Sequence, residues 1–397
     1  MTTRHAAVVG VGHSEVTRYA ERPLGAMALD ACRLAIADAG LDPADIDGIT
    51  SASMQPFGAG TGPAERDGID TVSTDFVVRG LGLEPVFGGP VAGMLGQSLA
   101  DAVRGIRAGA TRYCLVFRAL HNPRGTYGLL DGDRIPGRPQ YTVPYGQFVP
   151  GMFAQLWQRY QARYKTGSRE QMATFVLQAR ENGLRWEHGY WTAKNAGPLT
   201  EEEYLTSPIV SSPLSVLDCD LPVQGAAAFV LAEGSRAADL PHPPAYVTGV
   251  SSPYHPSSWQ VVDFTLDFQQ RWGAVAAREL WRDAGACPGE VDVANLYDGF
   301  SVLTMLWLEA LGLAGEGEAF DFVQDGRIAP GGALPLNTAG GSLGAGRMHG
   351  VPQFMDSVLQ VMGRSGPRQV PGARTALASI GPLSWGSAFL LRPEPPS

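Results

Sequence analysis

Cysteine, positive charge and long apolar runs are all scarce in this 397-residue sequence. Its four cysteines are scattered with no close pair, which argues against a disulfide framework and a cysteine-based metal knuckle. No apolar run approaches the roughly 18 to 20 residues that a membrane-spanning helix needs. The first residues lack the charged-then-apolar layout of a signal peptide. We therefore expect a cytoplasmic protein with no membrane partner.

Acidic residues outnumber basic residues, 39 against 30, and the net charge is −9. A general nucleic-acid binder needs a basic surface, so the charge argues against this class of protein. Hydrophobic residues make up 44% of the sequence and charged residues 17%, which is typical of a globular protein with a large core.

One segment is unusually rich in glycine. Residues 337–350 contain five glycines, and Arg347 and His349 are the only ionisable side chains among them. Glycine lets a backbone approach a ligand or another loop closely, so the segment is predicted to form part of a site. A flexible connector is the alternative. The segment lacks both the nucleotide-binding Gly-x-Gly-x-x-Gly context and a Gly-Lys-Ser/Thr ending, so it does not predict a phosphate cradle.

Two parts of the chain repeat each other. A helix predicted over residues 24–40 ends on Asp38-Ala-Gly, and a second predicted helix ends on Asp283-Ala-Gly. Asp47 and Asp292, which follow these helices, have the same separation of 245 residues. A Gly-Gly pair, a helix and a buried strand then follow in each half. They are Gly88-Gly89, residues 94–109 and residues 112–117 in the first half, and Gly340-Gly341, residues 354–362 and residues 375–380 in the second.

This duplication predicts an α/β protein in which each half is a mostly parallel sheet covered by helices. A long insertion between the halves is predicted to hold two helices, over residues 151–165 and 168–185, the second capped by Ser168 with Gln171. Its many aromatic side chains are predicted mainly to pack a cover over the core, and a pocket for a bulky apolar substrate is the alternative. The predicted domains are residues 1–118 with 216–245 for the first half, 119–215 for the insertion and 246–397 for the second half.

Two motifs carry a resemblance to a known family. They are Asn295-Leu-Tyr-Asp-Gly-Phe-Ser and the segment that begins Asn337-Thr-Ala-Gly-Gly-Ser-Leu-Gly and ends His349-Gly. Together with the duplicated layout, they resemble thiolase-fold proteins of the branch called lipid-transfer proteins or sterol-carrier-protein-x thiolases. Within that branch, the chain is most similar to the aldolases that shorten steroid side chains. The resemblance implies a duplicated five-layer αβαβα thiolase fold with a large insertion covering the active site.

The chain departs from the thiolase pattern at the residues that carry thiolase chemistry. Ala92 stands at the position of the nucleophilic cysteine, and Ser379 at that of the second catalytic cysteine. Arg347 replaces the histidine of the Gly-His-Pro motif, and Tyr297 replaces the asparagine of the Asn-Glu-Ala-Phe motif. Without these groups, a condensation through an acyl-enzyme is not expected.

The remaining residues suit the retro-aldol cleavage of a β-hydroxyacyl-CoA, which needs a base for the hydroxyl group and stabilisation of an enolate. Tyr297 is predicted to be the base, with Arg347 as the cation that lowers its pKa or holds an oxyanion. His349, whose ordinary pKa lies near neutrality, is predicted to return a proton to the enolate. Structural roles are the alternatives: Tyr297 hydrogen-bonding the loop, and His349 capping the helix that follows.

The resemblance also implies a substrate and partners. The substrate would be a steroid side-chain CoA thioester, cleaved to a ketone and a short acyl-CoA such as propionyl-CoA, with no cofactor and no metal. A homodimer and a small OB-fold partner, sometimes carrying a zinc ribbon, would form a heterotetramer. Further substrate-binding residues are predicted to be Asp298, Asn337, Gly340, Gly341 and Ser379.

One departure from the steroid aldolases leaves the chemistry open. Those relatives have a second tyrosine where this chain has Arg347. Either the acid role falls to His349 or water, or the substrate differs, or the protein is no longer an aldolase. The rival hypothesis is a non-catalytic or acyltransferase-associated thiolase-like subunit that binds acyl-CoA.

Overall fold

The structure is a computed structural model that describes residues 4–19, 21–53, 66–89, 94–120, 149–253 and 264–396. Within these ranges, nine strands form one mixed sheet and two more form a small hairpin. The strands are β1 (Ala6–His13), β2 (Gly48–Ser53), β3 (Phe87–Gly88), β4 (Tyr113–Leu120), β5 (Ile209–Ser211), β6 (Leu214–Ser215), β7 (Gly225–Glu233), β8 (Ala245–Ser251), β9 (Val293–Asn295), β10 (Ala376–Ile380) and β11 (Ser387–Arg392). The helices are α1 (Leu24–Asp38), α2 (Thr74–Leu81), α3 (Leu95–Ala108), α4 (Val149–Tyr164), α5 (Arg169–Gly183), α6 (Tyr190–Ala193), α7 (Glu201–Thr206), α8 (Gly234–Ala237), α9 (Leu266–Ala284), α10 (Ser301–Ala310), α11 (Ala319–Phe322), α12 (Gly341–Ala345) and α13 (Val351–Val361).

The large sheet has two parts that repeat one strand pattern. Its order is β3-β2-β4-β7-β1-β8-β11-β10-β9, and β1 pairs with β8 where the two parts meet. From this junction outward, the first part runs β1, β7, β4, β2, β3 and the second runs β8, β11, β10, β9. Where the first part has β3, the second has a single parallel bridge between Leu336 and Ala294 of β9. The duplication predicted from the sequence is therefore visible in the strand order. The prediction of a mostly parallel sheet in each half is wrong, because β7 and β11 run antiparallel to both of their neighbours.

Helices α3 and α13 lie between the two parts of the sheet. α3 packs on β2 and β4 and also touches β10 and β11, whereas α13 packs on β9 and β10. Phe354 of α13 stands between Phe229 of β7 and Phe389 of β11, with ring centroids 5.2 Å apart on each side. α1 covers the opposite face of the first part, and α9 packs on β8 and β11. The layers therefore alternate between helix and sheet in the order predicted from the resemblance.

Two ion pairs tie the halves together symmetrically. Asp38 at the end of α1 pairs with Arg364, which follows α13, at 2.7 Å. Asp283 at the end of α9 pairs with Arg107 of α3 at 2.9 Å. Each carboxylate also accepts a backbone N–H from the strand before its helix, at 2.9 Å. Each half thus supplies an arginine to the equivalent aspartate of the other half, which accounts for the repeated aspartate in the sequence.

The insertion contributes α4 and α5 close to their predicted positions. Ser168 caps α5 by accepting the N–H of Gln171 at 3.3 Å, and the Gln171 side chain accepts the N–H of Ser168 at 3.0 Å. Trp157 and Trp186 are buried, in agreement with a packing role. Four further aromatic residues of the insertion lie outside the described residues: Tyr127, Tyr141, Tyr145 and Phe148. The domain boundaries proposed at residues 118, 215 and 245 stay a prediction.

Candidate active site

The tyrosine turn, residues 295–301, and the glycine-rich loop, residues 337–350, are bonded side by side. The Asn337 side chain accepts the N–H of Leu296 at 2.6 Å and donates to its carbonyl oxygen at 3.0 Å. The N–H of Thr338 donates to the Asn295 side chain at 3.0 Å. The two motifs singled out from the sequence therefore form one wall. Asn337 builds that wall through its side chain, and its contact with substrate stays a prediction.

Asp298 holds the first turn of α12. Its carboxylate is fully buried and accepts the N–H groups of Ser342 at 2.6 Å and Leu343 at 3.2 Å, with Gln353 donating at 2.6 Å. Burial raises the pKa of the Asp298 carboxyl to about 7, against the effect of these hydrogen bonds. The observed contacts give Asp298 a positioning role between the turn and the loop.

Gly340 and Gly341 occupy positions where no other residue fits. Both have positive φ, +87° and +60°. A Cβ on Gly340 would lie 2.5 Å from the Cα of Gly183 in α5, and one on Gly341 would lie 2.2 Å from a carboxylate oxygen of Asp298. The loop is thus pressed between α5 and the tyrosine turn, which explains its glycine content and disfavours a flexible connector.

Ser379 also forms a hydrogen bond with the tyrosine turn. It is fully buried in β10, and its hydroxyl oxygen accepts the N–H of Tyr297 at 2.9 Å. The residue that stands in place of the second thiolase cysteine thus fixes the backbone of Tyr297. Ala92, at the position of the first thiolase cysteine, lies outside the described residues.

Tyr297 is almost fully buried, with 6% of its surface exposed. Its ring lies over Gly299, where a Cβ would be 2.6 Å from the tyrosine hydroxyl. Burial raises the pKa of the Tyr297 phenol well above its ordinary value, and the nearby Asp220 adds to this effect. Arg347 acts in the predicted direction, lowering the phenol pKa, but burial outweighs it. The resting site therefore holds a neutral phenol.

His349 contacts a buried arginine that the sequence analysis did not identify. Its Nδ1 lies 2.7 Å from Nη2 of Arg118 in β4. Burial, followed by the charges of Arg118 and Arg347, lowers the pKa of His349 well below its ordinary value. The imidazole is thus neutral near pH 7, which does not favour the predicted role of returning a proton. Gly350 occupies the N-cap of α13, and the described ring contact of His349 is with Arg118.

Arg118 is fully buried, and its Nη1 donates to the carbonyl oxygen of Ala52 at 3.0 Å. Burial lowers the pKa of its guanidinium to about 10, which leaves it charged at neutral pH. Within the described part of the chain, no carboxylate lies at ion-pair distance from Arg118. The sequence feature that could have identified Arg118 is its place as one arginine in the otherwise apolar strand Tyr-Cys-Leu-Val-Phe-Arg-Ala-Leu. A cation is rare inside a core strand and calls for a partner or a function.

Arg347 is a second cation that acts on Tyr297, alongside Arg118 and the carboxylate of Asp220. It is 7% exposed, and its backbone N–H donates to the carbonyl oxygen of Leu221 at 2.8 Å. The charges of Arg347 and Arg118 both act on Tyr297, and they also act on each other. Two buried guanidinium groups act on one phenol, and a neutral imidazole contacts one of them, which suits the site to developing negative charge.

Metal-ligating side chains and cysteine thiols are two sources of chemistry to compare with the tyrosine site among the described residues. No group of three metal-ligating side chains occurs among them. Burial raises the pKa of the Cys32, Cys114 and Cys219 thiols, which disfavours a thiolate nucleophile. Cys287 is exposed, in the surface turn after α9. Nor does any described helix combine the length and apolar character needed to span a membrane.

Comparisons with known proteins identify the family. The family described as thiolase C-terminal domain-like matches residues 254–388. The 17-hydroxy-3-oxo-4-pregnene-20-carboxyl-CoA lyase of Mycobacterium tuberculosis is 30% identical, over 96% of this chain and 97% of the lyase. A steroid side-chain-cleaving aldolase of Thermomonospora curvata is 28% identical over 91% of each chain.

A solved structure confirms the fold. The structure described as Ltp2-ChsH2(DUF35) aldolase has a TM-score of 0.84 to this chain at 27% identity, covering 98% of this chain and 97% of the other. The thiolase fold predicted from the duplicated layout and the two motifs is therefore confirmed. The chain belongs to the thiolase-like family that includes the steroid side-chain-cleaving aldolases.

Proposed function

We propose that this protein is a carbon–carbon lyase that cleaves a β-hydroxyacyl-CoA by a retro-aldol reaction. The proposed substrate is a steroid side-chain CoA thioester, and the products are a ketone and a short acyl-CoA such as propionyl-CoA. The observation that carries the proposal is the buried Tyr297 beside two buried guanidinium groups. The names of the relatives supply the substrate class.

The reaction moves one proton and breaks one carbon–carbon bond. The β-hydroxyl group loses its proton, its oxygen forms the ketone C=O, and the electrons of the Cα–Cβ bond move onto the thioester as an enolate. A proton then adds to Cα and gives the short acyl-CoA. Negative charge thus develops first on the hydroxyl oxygen and then on the thioester oxygen, both of which need cations or hydrogen-bond donors.

Tyr297 is the proposed proton carrier. Its phenol is neutral in the resting site, so the reactive form is the phenolate, which Arg347 and Arg118 stabilise. The phenolate takes the proton of the substrate hydroxyl and passes it to Cα, so one residue serves both steps. Because the phenol pKa is raised, the phenolate fraction grows with pH, and kcat should rise between pH 7 and 9.

The test is turnover of 17-hydroxy steroid side-chain CoA thioesters, with ketone and propionyl-CoA measured by mass spectrometry. Tyr297→Phe should lower kcat by about 100-fold or more, the usual scale for losing an acid–base group. Tyr246→Phe is the matched control, since Tyr246 is a buried tyrosine of β8 that donates only to the carbonyl oxygen of Gly234. Equal rates for wild type and Tyr297→Phe would contradict the proposal. Binding of acyl-CoA without any turnover would favour the rival, a non-catalytic subunit.

The proposed assembly is a homodimer with a small OB-fold partner that carries a zinc ribbon in some relatives, together a heterotetramer in the cytoplasm. β3 is the edge strand of the large sheet, and Val86 just before it is 81% exposed. An edge strand offers unpaired backbone groups to a second copy. Light scattering of the chain with and without the co-expressed partner tests the stoichiometry, and a monomer in both samples would contradict it.

A further inference from the structure

We propose that Arg118 and His349 form a fixed hydrogen-bond donor for the thioester oxygen of the substrate as it becomes an enolate oxygen. His349 is the catalytic residue, because its Nε2–H would touch the reacting oxygen. Arg118 is a positioning residue that acts through the imidazole. The inference rests on the proposed retro-aldol function and assigns a role within it.

The contact between the two side chains sets the tautomer of His349. A guanidinium group only donates hydrogen bonds. Because Nη2 of Arg118 lies 2.7 Å from Nδ1 of His349, Nδ1 must accept with its lone pair. The ring proton therefore sits on Nε2. An imidazolium would direct an N–H at the arginine, so the contact also keeps the ring neutral.

The second ring nitrogen of His349 is not used by any described residue. The described residues provide no hydrogen-bond partner for Nε2 of His349, whereas Nδ1 is held by Arg118. The loop backbone fixes the ring position, since His349 has a positive φ of +48° and Gly350 follows at +99°. Few residues other than glycine adopt this conformation, so the chain gives up local stability to place this side chain.

The charges around the ring favour an anion. Arg118 reaches His349 from β4 and Arg347 lies on the same loop, and both positive charges act on the imidazole. Asp220, which precedes β7, acts with the opposite sign on Tyr297. A buried guanidinium without a carboxylate partner in the described part of the chain is costly unless an anion arrives. An enolate oxygen is such an anion, and it forms only during the reaction.

A neutral imidazole is a suitable donor for this oxygen. Other enolate-forming enzymes keep a histidine neutral so that its N–H polarises the substrate carbonyl. The donor strengthens as charge develops and loses no proton, so it lowers the barrier rather than trapping an intermediate. The proton that reaches Cα then comes from Tyr297.

The first test reads the tautomer directly. Nitrogen-15 NMR of histidine-labelled enzyme, with His349→Gln to assign the signal, should show a neutral ring protonated on Nε2 from pH 8 to pH 5. A ring protonated on Nδ1, or one that titrates near its ordinary pKa, would overturn the inference. This measurement needs no active substrate, so its outcome is independent of the proposed reaction.

The second test compares variants by kcat and KM. His349→Ala should lower kcat by about 100-fold or more, as loss of an oxyanion donor does, with little change in KM. His349→Gln keeps an N–H donor and should recover at least tenfold of that loss. Arg118→Lys preserves a donor to Nδ1 and should keep the wild-type pH profile. Arg118→Met frees His349 to titrate and should add an acidic limb to the kcat profile.

The two failures can be told apart. If wild type cleaves the thioester, Tyr297→Phe does not, and His349→Ala matches wild type, the donor role is wrong while the lyase function stands. If wild type cleaves nothing but His349 shows the Nε2–H tautomer, the lyase function is wrong while the fixed donor remains.

Discussion

Arg118 and Ile380 occupy equivalent places in the two halves of the molecule. Gly48 of β2 and Val293 of β9 are separated by the repeat distance of 245 residues, and they pair with Cys114 of β4 and Ala376 of β10. Arg118 and Ile380 each lie four residues further along these two strands, so they are equivalent. Both side chains are fully buried. The arginine contacts His349, whereas a Cβ at Gly350 would lie only 2.5 Å from the isoleucine side chain.

Arg118 and Ile380 show that the two halves share a backbone arrangement but differ in the side chains of the candidate site. Asp38 and Asp283 hold matching arginines across the two halves. The tyrosine turn and the glycine-rich loop come from the second half, and the described part of the first half adds the buried cation Arg118. Both halves retain the aspartate because each half forms the same ion pair with the other. The active site requires only one set of reacting groups, so its residues are not repeated.

Making the two halves alike should remove activity without removing stability. Arg118→Ile places the residue of the second half in the first, and we expect kcat to fall by about 100-fold or more. The melting temperature should stay level or rise, because a buried charge without a carboxylate partner among the described residues is replaced by an apolar side chain. Calorimetry and turnover on the same sample check both effects, with Ile380→Val as the control. A large loss of stability would show that Arg118 is mainly structural.

A second variant tests the position of Tyr297 without changing its chemistry. Gly299→Ala puts a Cβ 2.6 Å from the tyrosine hydroxyl and should displace the ring. We expect kcat to fall by about 10- to 100-fold, since small misplacements of a reacting group have effects of this size. Gly289→Ala is the matched control, because a Cβ there meets nothing within 4 Å. Similar activity in the two variants would argue against Tyr297 as the proton carrier.

Acid should destabilise the protein through its buried histidines. Burial lowers the pKa of His13 at the end of β1 to about 3, and that of His349 well below its ordinary value. Both rings are neutral in the folded protein, whereas in the unfolded chain they become protonated below about pH 6.5. The folded state therefore keeps its full free energy of unfolding above about pH 6.5 and loses part of it as the pH falls towards 3. Each unit of pKa difference corresponds to about 1.4 kcal/mol. Urea titrations measure the free energy of unfolding at pH 7 and at pH 5. The decrease between the two pH values should be smaller for His13→Asn than for wild type.

The smallest effect is expected from the symmetrical ion pairs. Both are partly exposed, so Arg364→Met and Arg107→Met should each lower the free energy of unfolding by about 1 kcal/mol. The pKa of Asp38 is lowered, since its hydrogen bonds and nearby charges together outweigh burial, so its contribution holds above about pH 4 and disappears on further acidification. Chemical denaturation measures both. A loss in only one variant would show that the halves are not tied equally.

The sequence alone determined the family, the duplicated fold and the two segments that form the site. The glycine pairs and the tyrosine motif are local patterns that arise from local needs such as a turn or a close backbone approach, and the repeated aspartates reveal the duplication through their equal separation. The comparisons confirm the family and the fold, and the relatives agree with the aldolase prediction. The catalytic roles of Tyr297, Arg347 and His349 stay predictions.

Only the tertiary structure decided the protonation states and the role of Arg118. That residue is separated by 231 positions from His349, so no local pattern connects them. The raised pKa of Tyr297 and the lowered pKa of His349 both come first from burial, which depends on how distant elements pack. Burial reversed the expected state of the phenol, and the arginine contact set the tautomer of the imidazole. Sequence patterns name the reacting side chains, whereas the packing around them fixes where their protons lie.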